Sequence, residues 1–163
     1  MTPLLALALF ATAQAGPNAP KDGPPPSELA KLYFIAGDLL RANEAVQAGA
    51  PRDPKCQAMV KPLADYMLLA SRKDRLTAAE AKQFIAADRA VSPLAMSKVT
   101  RSVYERFVGL PLLKAKARVA NGLNADALTY VREALDADPN NAEAAALLLK
   151  LAPDAGTAAD AGR

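Results

Sequence analysis

Proline punctuates this chain at three places where an apolar helical pattern would otherwise run on, and that constrains the fold more than any other feature. Three joints share one chemistry: Asp53-Pro54, Ser92-Pro93 and Asp138-Pro139 each set a short side-chain oxygen directly before a proline. The oxygen can cap the free N–H groups at a helix start, and proline at the first helical position sacrifices nothing, because its N–H would have been unpaired. Between the joints, apolar residues recur at three- and four-residue steps, the spacing of one helix face. The chain is therefore expected to fold as several short helices joined by tight turns. Composition agrees: Ala and Leu dominate, and both lose little on entering a helix. Four Phe, four Tyr and no Trp are few aromatics for a β-sandwich.

The pattern predicts a first helix after the N-cap Ser27, with Leu29, Leu32, Ile35, Ala36, Leu39, Leu40 and Val46 as its stripe and Gly49 as its end. A second opens at Asp53-Pro54 and turns Cys56, Val60, Leu63, Met67 and Ala70 inward, with Pro62 expected to kink or split it. Thr77-Ala-Ala-Glu80 is a capping box, in which the two end side chains each bond the other's backbone N–H. It heads a helix bearing Ala81, Phe84, Ile85 and Val91, with Asp88 at the margin of the stripe. Ser92-Pro93 then starts a helix with Met96, Val99, Val103 and Phe107, broken at Val108-Gly-Leu-Pro111. Leu113, Ala117 and Ala120 belong to the next, which stops at Asn121-Gly122. Asn124 caps a helix with Ala127, Leu128, Val131, Ala134 and Leu135 inward, and a short last helix carries Ala144, Leu147, Leu148 and Leu151.

The ends read differently. Residues 1–15, MTPLLALALFATAQA, hold a short apolar run and the small-x-small triplet Ala13-Gln14-Ala15, the pattern of a cleaved signal peptide. The run is too short for a membrane span, which needs about 20 residues. A periplasmic or secreted location follows, with no transmembrane span expected. Residues 16–26, rich in Pro and Gly, form a linker, residues 27–151 the helical domain, and residues 152–163 a tail with no apolar stripe, expected to be disordered. Cys56, the lone cysteine, cannot form an internal disulfide and sits on an apolar helix face as a small hydrophobe.

No catalytic, metal or cofactor site is legible. Without histidine the usual triads and the imidazole ligand are missing, and one cysteine rules out the common structural zinc sites. A calcium loop ending at Glu80 would need oxygen ligands at Leu69, Ser71 and Lys73, and two of these have none to offer in the side chain. The net charge of +3 is too small to suggest nucleic acid. Between Lys98 and Arg118, however, six bases stand against Glu105 alone: Lys98, Arg101, Arg106, Lys114, Lys116 and Arg118. From Asp126 onward acids outnumber bases. A basic middle and an acidic end can steer a partner or a second copy.

From Val108 to Asn141 the chain resembles a tetratricopeptide repeat (TPR), a 34-residue helical hairpin. That motif has small residues at its eighth, twentieth and twenty-seventh positions, often Gly at the fifteenth, and Pro at the thirty-second. Ala115, Ala127, Ala134, Gly122 and Pro139 stand there in this sequence. The resemblance implies an all-α fold of antiparallel hairpins stacked as a short TPR-like α-solenoid. It implies too a concave groove that Leu112, Lys116, Val119 and Ala120 would face, and a role in binding another protein. The expected function is an exported, non-catalytic protein-protein interaction module, an adaptor or scaffold in a bacterial cell-envelope assembly. A self-associating structural domain, forming a homo-oligomer, is the alternative, and a carboxylate-based enzyme ranks behind both.

Overall fold

The computed structural model describes residues 23–152. The expected signal peptide, the linker as far as residue 22 and the tail from residue 153 lie outside the described residues. Among the described residues the protein is all-α. Its helices are α1 (Pro26–Ala36), α2 (Leu39–Gly49), α3 (Pro54–Ala70), α4 (Ala78–Val91), α5 (Lys98–Tyr104), α6 (Leu110–Ala120), α7 (Asn124–Ala137) and α8 (Ala142–Leu151). Short connections make sequence neighbours pack as hairpins, with α1 on α2, α3 on α4, α6 on α7 and α7 on α8. None of these helices is long and apolar enough to cross a membrane.

Several expected boundaries hold. The Asp53 carboxylate accepts the Lys55 N–H at 2.9 Å and Pro54 opens α3. The Thr77–Glu80 capping box is complete. Gly122 ends α6 at φ +73°, a left-handed conformation that suits glycine. The N–H groups of Gly122 and Leu123 return to the Val119 and Arg118 carbonyls at 3.0 and 2.9 Å, so the last turn of α6 is closed.

Others are corrected. The first helix is two helices, because Gly37 (φ +85°) closes α1 with the same pair of returning bonds, to Phe34 and Tyr33. Asp38 then caps α2 by accepting the Arg41 N–H at 3.2 Å. The break rotates the apolar face, so Ala30, Phe34, Ala42 and Val46 are buried while Leu32 and Leu40 are exposed. Helix α1 starts at Pro26, which places Ser27 inside it and buried. Pro62 does not split α3, which runs on through it, and its buried residues are Cys56, Met59, Leu63, Tyr66 and Leu69. Ser92-Pro93 starts no helix: Ser92 ends α4, and Ser97 caps α5 by accepting the Val99 N–H. Val108-Gly-Leu-Pro111 does not break its helix either. A π-helical segment, Glu105–Gly109, absorbs the proline and carries α5 into α6 without a turn. Asn124 is the first residue of α7 rather than its cap, and the stop after Asp138 is a turn, with Asn141 capping α8 through Ala144 N–H at 2.8 Å.

Two apolar clusters fill the interior. One gathers Phe34, Leu63, Tyr66, Phe84, Val91 and Val103, and the other Ile85, Val108, Leu112, Ala115, Val131 and Ala134. Helix α4 serves both, because Phe84 and Ile85 are successive residues that diverge by about 100° around the helix axis.

Close packing at the α1–α2–α3 corner makes Gly49 indispensable. A β-carbon there would stand 2.4 Å from Cys56 Sγ and 2.8 Å from Pro26 Cβ. Gly49→Ala is expected to lower stability by about 1–3 kcal/mol despite the gain in helix propensity. The helical Gly109 is the control: its added carbon would meet only the end of the exposed Glu105 side chain, which can swing away. Urea denaturation should therefore show a large loss for Gly49→Ala, a neutral or slightly positive effect for Gly109→Ala, and partial rescue of the former by Cys56→Ala.

Candidate functional site

The divergence of α4 continues one turn later in its polar residues. Asp88 follows Phe84 and Arg89 follows Ile85 by four positions, so each points into the same side as its apolar predecessor. Asp88, expected at the margin, is buried. Its Oδ2 accepts the Ser97 N–H at 3.1 Å and the Thr100 hydroxyl. Thr100 in turn shares a 2.8 Å bond with the Tyr66 hydroxyl. With Asp88 ionised, the chain of donors runs from Tyr66 to Thr100 to Asp88, and it ties α3 and the first turn of α5 to the end of α4. The Asp88 carboxyl is held above its ordinary value chiefly by burial, against the opposing pull of the Thr100 and Ser97 bonds and of neighbouring Arg89. Burial likewise pushes the Tyr66 phenol up to about 12.

On the other side, the Arg89 guanidinium makes a two-pronged contact with the fully buried Asp138 carboxylate. Asp138 also accepts the Tyr104 hydroxyl at 3.2 Å and the Asn140 N–H at 3.1 Å. Asn141 donates to Tyr104 at 2.7 Å. The stop between α7 and α8 is thus clamped to α4 and α5 by side chains, which explains its sharpness. Among the described residues no buried side-chain nitrogen or oxygen lacks a partner. These networks join the ends of α4, α5 and α7 through buried and half-buried side chains.

A pH test follows for Asp88. Its raised value in the fold means that the folded state holds the proton more tightly than the unfolded chain does. Asp88 therefore favours folding below its ordinary value of 3.8, and this contribution is lost as pH rises through the folded value. Asp53, Asp74 and Glu80, all held low, act in the opposite sense. The measurement is thus a difference: stability of wild type minus Asp88→Asn should fall as pH rises above about 4. A flat difference would contradict the assignment.

The groove residues implied by the resemblance are divided. Leu112 is buried in the second cluster. Lys116 is exposed and paired with Glu143 of α8, Val119 is half-buried, and Ala120 is exposed. The basic stretch is largely engaged with its own chain. Arg106 donates to the carbonyls of Lys73, Asp74 and Leu76, Lys114 lies 5.5 Å from the Tyr130 ring centre, and Arg118 stands 3.7 Å from Asp126. Cys56 is buried, and burial with the neighbouring Asp53 carboxylate pushes its thiol up, away from the reactive thiolate.

A cleft of about 590 Å³ lies between α3 and α4. Pro62, Leu68, Leu69, Ala86, Ala87 and Ala90 supply its apolar walls. Lys61, Asp65 and Arg72 rim it, Lys61 paired with Asp65 at 2.6 Å and Arg72 with Glu80 at 2.9 Å. Leu68 is 66% exposed there. The sequence signal for it was present: Leu68 lies off the buried face of α3 yet is large and apolar. Arranged this way, the cleft can accept an apolar side chain or a helix edge between its ion-paired rims.

Comparison with protein-family models, with curated proteins and with solved structures finds no match for this chain. What the fold and the cleft define is a class, an all-α protein of short packed hairpins.

Proposed function

We propose that this chain is a non-catalytic protein-protein interaction module, exported to the periplasm or secreted, where it serves as an adaptor or scaffold in a bacterial cell-envelope assembly. Its hairpins are read as TPR-like. Ala115, Ala127 and Ala134, the small residues of that motif, are fully buried on α6 and α7, two helices that pack together. The observation that carries the binding role is the α3–α4 cleft with Leu68 at its edge. Its occupant is an amphipathic helix of the partner. Ala86, Ala87 and Ala90 are small enough to let a third helix approach closely, and the neighbouring leucines give its apolar side chains a floor. The ion-paired rim leaves apolar contact as the source of affinity.

The test is affinity capture from the native envelope, followed by binding of the purified partner. Leu68→Glu is expected to weaken binding at least about tenfold, since it puts a charge where an apolar contact was. Its thermal unfolding should be unchanged. If Lys116→Glu instead abolishes binding while Leu68→Glu does not, the α6 face is the docking surface. Failure of both variants to alter capture of a specific partner would remove the assignment to either surface.

A further inference from the structure

Leu94, at the tip of the turn between α4 and α5, is 99% exposed, more than any other large apolar side chain among the described residues. The turn that presents it is braced. Pro93 precedes it, the Ser92 N–H bonds the Asp88 carbonyl at 2.8 Å, and the Asp88 carboxylate takes the Ser97 N–H on the far side. The leucine itself forms one wall of a depression of about 250 Å³ between the turn and α1. Leu32, itself 60% exposed, Ile35 and Pro93 line it, with Glu28 and Lys31 at the rim.

We propose that this patch pairs two copies of the chain about a two-fold axis, the Leu94 of each seated in the Leu32–Ile35 depression of the other. A two-fold contact uses one surface twice, so that surface must carry both the projection and the hollow that receives it. Here the two are adjacent. The surface must also match itself in charge. Glu28 and Lys31 stand 3.0 Å apart within one copy, and a two-fold operation can set the acid of one rim against the base of the other. A strongly acidic or basic partner, or an anionic membrane surface, would meet one attractive and one repulsive rim charge. The patch is small beside the roughly 1,200–2,000 Å² buried in stable complexes, so the dimer is a weak one. This inference stands apart from the α3–α4 cleft and from the partner proposed for it.

Sedimentation equilibrium of the full-length chain tests it. The average mass should rise toward that of a dimer between about 1 µM and 1 mM, the range expected of so small a contact. Leu94→Glu should weaken association about a hundredfold, because each substitution acts twice in a two-fold contact. Its thermal unfolding should match wild type, the side chain being outside both apolar clusters. Glu28→Lys should weaken association and the double variant Glu28→Lys, Lys31→Glu should restore it. A chain that stays monomeric over the whole range, or a dimer that Leu94→Glu leaves intact, overturns the proposal.

Discussion

Replacing Tyr66 by alanine is expected to remove about 3–5 kcal/mol of stability, the range for deleting a buried aromatic ring. Tyr66 is fully buried at the meeting point of α1, α3 and α4. Its ring lies 4.4 Å from that of Phe84 in a stacked arrangement and 4.7 Å from that of Phe34, edge to face. Deleting it unsupports both rings, opens a cavity that surrounding helices can only partly fill, and removes one of the two hydrogen bonds of the Thr100 hydroxyl. A domain of this size has about 5–15 kcal/mol in all, so Tyr66→Ala should approach the limit of folding. Tyr66→Phe separates the two contributions. It keeps the ring and loses only the hydroxyl bond, at about 1 kcal/mol. Denaturant titration of the two variants should give a ratio of at least about three. Equal losses would mean that the hydroxyl network, and not the ring, holds this corner together.

Arg89→Ala is the second large effect. Its guanidinium is the cation that faces the buried Asp138 carboxylate, and removing it leaves a buried charge with only the Tyr104 hydroxyl and Asn140 N–H to compensate. Breaking a buried pair in this way costs about 3–5 kcal/mol, and the partial exposure of Arg89 lowers the expectation to about 2–3 kcal/mol. The loss should be local before it is global. Helix α8 packs chiefly on α7 and is otherwise tied in by the clamped turn and the exposed Lys116–Glu143 pair, so its amides should exchange with solvent early, while those of α3 stay protected. Asp138→Asn retains an oxygen acceptor for Asn140 N–H. Combined with Arg89→Ala, it should be less harmful than the sum of the two, because no buried charge remains. Additive losses would show that the two side chains act independently.

Much of the architecture was legible from local chemistry. The Asp53 cap, the Thr77–Glu80 box and the Asn121-Gly122 stop are each closed by atoms a few residues apart, and in all three the structure has the expected boundary. The errors share a cause. Gly37-Asp38 has the chemistry of a stop followed by a cap, but leucines on both sides continue a helical spacing across it. The π-helical segment left no signature, since Val108-Gly-Leu-Pro111 is equally a break. As for the candidate site, Leu68 and Leu94 were visible as leucines, but whether a leucine is core or surface depends on which helix lies across from it.

By itself the sequence determined an all-α chain of short helices, because capping oxygens, prolines and glycines act within one turn of where they stand. Only the tertiary structure decided where the polar interior lies. Asp88 and Arg89 are adjacent in the chain, yet one reaches Thr100 and the other Asp138, across 12 and 49 residues of sequence. Bonds of that span form when helices already packed by their apolar faces bring distant side chains within reach, and no local spacing encodes them. The same holds for the α3–α4 cleft and for the hollow beside Leu94: each is a space between elements, set by how closely the elements pack.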